Sequence, residues 1–117
     1  MLDNYKFIKT ALKKGITRED LNNDTIKAVT SLKDLELICL CAKTLDPSDI
    51  NNLQLLINSA YINANKYNLE WLDYFISIIE KKNTYIKSLF STDIENLKAK
   101  KNSLETYLLH RESSVGL

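Results

Sequence analysis

The sequence predicts an all-α fold, a compact bundle of about five main helices plus one or two short ones. Three observations lead there. Glycine occurs twice and proline once in 117 residues, too few turn formers for a strand-rich fold. Apolar residues recur at helical spacing through most of the chain. One grammar also marks three helix starts: an apolar residue, a capping residue, and an apolar residue four past the cap. The sets are Ile16, Thr17 and Leu21; Leu45, Asp46 and Ile50; and Tyr67, Asn68 and Leu72. In such a staple the residue before the cap packs on the first turn and fixes the direction of the incoming chain.

The elements follow in order. A first helix is expected over 4–14 behind Asp3, with Tyr5, Ile8, Ala11 and Leu12 on one side and Gly15 as its C-cap. Asp20 stands three after Thr17, where an acid accepts from free first-turn amides and suits the positive helix end. Asn22, Asn23 and Asp24 break the stretch 18–30 into a short turn and a short helix, with Asp24 capping. Ser31 caps the next helix, 32–44, with Asp34 three residues on. Asp46 caps a helix over 47–65, with Asp49 three past it and Pro47 at the first helical position, where its missing N–H costs nothing. A helix over 69–82, a short piece over 85–90 and a last helix from 93 to about 111 complete the set. Thr92 stands before that last start, and 112–117 reads as a frayed tail. One domain over 1–117 fits the length. A likeness between 12–21 and 42–50 is mostly the staple grammar, and no third copy supports a helical solenoid; the bundle is preferred, with a short solenoid as the alternative.

The helix over 32–44 is apolar nearly all round. Leu35, Ile38, Cys39 and Ala42 make one side, and Leu37, Leu40 and Cys41 the other. A surface helix carries one apolar stripe, so this one is expected at the centre, with Leu35, Leu37, Ile38 and Leu40 all buried. Its two cysteines point in different directions and read as small buried hydrophobes. The helix over 47–65 is expected to bury Ile50, Leu53, Ile57, Ala60, Tyr61 and Ala64, leaving Leu55 and Ile62 across from that face. The helix over 69–82 has a complete core face in Leu69, Leu72, Phe75, Ile76 and Ile79. Trp71, Tyr74 and Ile78 form a second stripe on it. That stripe is either a second core face or, with Leu55 and Ile62, a surface for a protein partner, since Trp and Tyr are favoured interface anchors. Ile94, Leu97, Leu104 and Leu108 follow a heptad seam in the last helix, with Lys101 where a fifth apolar residue belongs. The seam is either an edge helix lying on the bundle or a homodimer contact.

Catalytic patterns are missing. Two glycines cannot write a phosphate loop or a dinucleotide fingerprint, and the single histidine, His110, has no carboxylate partner at ligand spacing. Two Cys and one His are too few for a structural zinc, so no metal and no cofactor are expected. The net charge of +1 is low for a nucleic-acid-binding chain. Residues 78–117, with seven basic and five acidic groups, keep a small nucleic-acid-binding regulator as the alternative. No apolar run reaches a membrane span and the first residues lack a secretory pattern, so a cytoplasmic protein, of the producing cell or its host, is expected. Fourteen Lys, twelve Asn and twelve Ile imply an AT-rich genome. Together these expectations describe a non-enzymatic protein-binding module, such as a small inhibitor, immunity or effector-type protein of a phage or mobile element.

Overall fold

The computed structural model describes residues 9–115 apart from 12 and 16, with side chains as far as residue 108. Tyr5, Ile8, Leu12, Ile16 and the side chain of His110 lie outside the described residues. Among the described residues every regular element is helical. Residues 9–11 and 13–14 are helical, and Gly15 follows at φ +99°, the conformation a C-cap glycine supplies.

Local hydrogen bonds decide where each helix starts. Thr17 donates through its N–H and its hydroxyl to Asp20 Oδ2, at 3.2 and 2.8 Å, around a 3-10 turn over Arg18–Asp20. Helix α1 (Asn23–Ser31) is capped by Asn22, whose Oδ1 accepts from the Thr25 N–H at 2.9 Å; Asp24, the expected cap, sits inside the first turn. Helix α2 (Leu35–Thr44) is capped by Asp34, which accepts from the N–H groups of Glu36 and Leu37 at 2.9 and 3.3 Å. Ser31 instead ends α1 and donates to the Ala28 carbonyl, because Lys33 turns the chain at φ 58° before α2 begins.

Helix α3 (Ile50–Asn63) starts three residues later than Pro47 suggests. Residues 46–49 close on themselves first: Asp46 Oδ1 accepts from the Ser48 N–H at 3.0 Å, and Asp49 Oδ2 accepts from the Asp46 N–H at 2.9 Å. Helix α4 (Leu69–Glu80) follows Asn68, whose side chain accepts from the Asn65 N–H at 2.8 Å and donates to the Asn63 carbonyl at 3.0 Å. Tyr67 is 86% exposed, so it makes no staple on Leu72. Helix α5 (Thr84–Leu89) is capped by Asn83, and α6 (Ser91–Val115) begins after Phe90, whose carbonyl accepts from Ile94 at 2.8 Å. Thr92 therefore lies within α6. The helix runs on through 112–115, with neither Gly nor Pro to interrupt it before Gly116.

These helices form an all-α bundle. Helix α2 packs against α1, α3 and α4, α6 packs against α3 and α4, and α5 lies against α4 and α6. The central position of α2 explains its all-round apolarity: Leu35, Leu37, Ile38, Cys39, Cys41 and Ala42 are all buried. Leu40 is the correction, being only half-buried against the core. On α3 the buried face includes Leu53, Leu56, Ile57 and Ala60, and Ala64 just past its end is also buried, while Tyr61, expected inside, is exposed. Ile50 is half-buried. Leu56 takes the inward place.

Two consequences are directly measurable. Burial pushes both thiols, Cys39 and Cys41, up to about 12. The thiolate is the reactive form, so a disulfide-exchange reagent at neutral pH should label neither cysteine in the native protein and both after unfolding. Fast labelling of the native protein would mean that the α2 core opens. The second concerns the link between the two turns. Arg18 Nε donates to Asp49 Oδ2 at 2.8 Å and its Nη2 to Asp49 Oδ1 at 3.1 Å and to Ser48 Oγ at 3.2 Å. The guanidinium holds the Asp49 carboxyl below its ordinary range. A carboxyl lowered in the folded state stabilises above its unfolded pKa and loses that contribution as pH falls through the folded value. Arg18→Gln should therefore unfold slightly more easily than wild type at neutral pH, with the difference fading below about pH 4. Thermal melts across pH check it; a difference that grows in acid contradicts the link.

Candidate functional site

Helix α4 satisfies its own bundle before its second stripe is used. Leu72, Phe75, Ile76 and Ile79 are buried, as the sequence predicts, and Leu69 is half-buried against them. Within the second stripe, Tyr74 and Ile78 lie beside the end of α2 at Lys43. The Trp71 carbonyl accepts from the Cys39 thiol at 3.3 Å, which ties this part of α4 to α2. The Trp71 and Tyr74 rings meet edge to face, centroids 6.1 Å apart and planes at 61°. Such a pair adds stability beyond its buried area. Trp71 remains 38% exposed and Tyr74 40%, while Ile78 is half-buried.

Tyr74 and Ile78 line a shallow trough of about 420 Å³ together with Pro47, Ser77, Lys43, Lys81 and Lys82. Lys82 closes one side. Its Nζ donates to the carbonyls of Leu45 at 2.5 Å and Lys43 at 3.4 Å, so the end of α4 is fastened to the end of α2 and the turn after it. Burial pushes the Lys82 ammonium below its ordinary range, opposed by Asp46 and Asp49. Pro47 and Lys43 have no linear signal linking them to Tyr74. Pro47 reads in the sequence as a helix starter, and only the folding of α2 onto α4 brings them together.

Leu55 and Ile62 are not among the residues that line this trough. Leu55 is half-buried against the core. Ile62 is 73% exposed and lines a second cavity of about 300 Å³ between α3 and α6, with Ile57, Asn58, Tyr61, Asp93, Asn96 and Leu97. Lys100 lies over the Tyr61 ring, 4.7 Å from its centroid, and donates to the Tyr61 carbonyl.

The heptad seam is divided too. Ile94 and Leu97 are buried in the chain's own bundle, Leu104 packs partly against the same core, and Leu108 is half-buried. Lys101, in an apolar position of the seam, reaches Asp73 Oδ1 at 2.8 Å and Glu105 Oε1 at 3.7 Å. The Asp73 hydrogen bond raises its pKa. The seam therefore lies along α4, and its first half is unavailable to a second chain. Lys98 likewise pairs with Glu80 at 3.2 Å, so the lysines of the last helix are largely engaged within the chain.

Comparison with family models, curated proteins and solved structures found no match to this chain. Among the described residues no group of three or more His, Cys, Asp or Glu is placed to hold a metal ion. No helix among them is long and apolar enough to cross a membrane.

Proposed function

We propose that this chain is a non-catalytic protein-binding module that docks a partner protein on the Trp71, Tyr74 and Ile78 flank of α4. Small inhibitors, immunity proteins and effectors work in this way, in the cytoplasm of the producing cell or its host. One observation carries the reading: an edge-to-face aromatic pair stays part-exposed on a helix whose core face is already complete. Aromatic rings held by their own chain reach a partner with little further entropy to lose, which is what interface anchors need.

The nucleic-acid alternative draws less support, because Lys82, Lys98, Lys100 and Lys101 each bond to groups of the chain itself.

The test compares capture from the native cell by wild type and by Trp71→Ala. The variant should keep its helical circular dichroism and cooperative unfolding, and its partner affinity should drop by about tenfold or more. Equal capture by the folded variant removes the site from α4. Ile62→Ser, on the separate α3–α6 surface, should leave capture unchanged.

A further inference from the structure

The α4 flank carries opposite charges at its two ends. Its first turn carries exposed Glu70 beside Trp71, and beyond its last turn stand Lys81 and Lys82. From Trp71 to Lys82 the rise is roughly 16 Å at helical spacing. Lys43 adds a third ammonium from the end of α2. Lys43 and Lys81 are exposed, and neither has an ion-pair partner among the described residues, whereas Lys98 and Lys101 are paired. Among the described residues no carboxylate lines the trough itself, while Asp46 and Asp49 act on the Lys82 ammonium at its edge and leave Lys43 and Lys81 as the groups open to an outside carboxylate. Its floor is apolar, formed by Tyr74, Ile78 and Pro47, and two free ammonium groups stand at its rim.

We infer that the partner segment held here is an acidic, amphipathic peptide stretch of another protein. One apolar side chain seats on Tyr74, Ile78 and Pro47, and carboxylates reach Lys43 and Lys81. The inference rests on the docking reading above and supplies the chemistry of its partner. A uniform polyanion such as single-stranded nucleic acid would meet Glu70 at the Trp71 end of the flank. A peptide can match both ends, because its acidic residues are confined to the lysine end. Opposite charges across the rim fix register and speed association, and like charges there reject wrong partners.

Trp71 is the only tryptophan in the chain, so its emission reports on this site. Random dodecamer peptides displayed on phage are selected against the wild-type protein, synthesised, and titrated by Trp71 emission and calorimetry. The expected peptides are rich in Asp and Glu around a Leu, Ile or Phe and shift the emission. Their affinity falls as salt rises and drops about tenfold or more in the Lys43→Glu, Lys81→Glu double variant. Calorimetry of Tyr74→Ala, checked for folding by circular dichroism, should show a similar loss. Peptides that need Tyr74 yet ignore salt and both lysines overturn the acidic chemistry and leave the docking reading standing. Peptides indifferent to Tyr74→Ala, or a selection that yields none, overturn both. A lysine-dependent emission shift with oligothymidylate or phosphatidylserine vesicles, absent with every selected peptide, replaces the peptide by that other partner.

Discussion

Leu37→Ala should lose about 2–5 kcal/mol of unfolding free energy, and Leu40→Ala clearly less. Both leucines lie on α2, three residues apart, and the sequence treats them alike. The structure does not: Leu37 is fully buried between the helices that surround α2, and Leu40 is half-buried at the edge of the core. Truncating a buried leucine removes its transfer free energy and leaves a cavity, since close-packed neighbours relax only partly. At a half-exposed position the neighbours and solvent fill part of the gap. A domain of this size is stable by on the order of 5–15 kcal/mol, so the Leu37 loss is a large fraction of the whole. Chemical denaturation of the two variants decides it. Equal midpoints would mean that α2 is not enclosed on the Leu37 side.

Helix existence and facing were legible wherever the pattern was long. The four inward positions of α4 and the short α5 follow from spacing, because a buried helical face must repeat at about 3.6 residues. The starts were less legible. Ser31 and Asp34 are both good caps three residues apart, and the left-handed turn at Lys33 selects Asp34. Asp46 and Asp49 pose the same choice, settled by hydrogen bonds that close 46–49 before α3 begins. Tyr61 satisfies the spacing of the α3 core face, but that face rotates toward Leu56, a tertiary choice that periodicity does not encode. The candidate surface was half legible. Trp71, Tyr74 and Ile78 share a stripe by spacing alone, whereas the trough also needs Pro47 and Lys43 from elements distant in sequence. Ile62 lies across from the α3 core face by spacing, and only the fold places it on the α3–α6 side.

Leu97→Glu should unfold the protein or bring it close to unfolding, while Leu108→Glu should leave it folded. Heptad spacing says that Ile94, Leu97, Leu104 and Leu108 share a stripe; it does not say which chain covers the stripe. Here Leu97 is 1% exposed inside the bundle formed by this chain alone. A glutamate at that place loses the leucine's packing and must either carry a desolvated charge or take up a proton to avoid it. Losses of this kind exceed about 4 kcal/mol, near the upper end of what single substitutions do. Leu108 is half-buried and tolerates a carboxylate with far smaller loss. If the seam instead served mainly to join two chains, Leu97→Glu would yield a folded monomer from a wild-type dimer. Sedimentation and circular dichroism of both variants separate these outcomes. An unfolded Leu97→Glu beside a folded Leu108→Glu places the first half of the seam in the core. It also confines any self-association to the part of α6 beyond Lys101, which is held by Asp73 on α4.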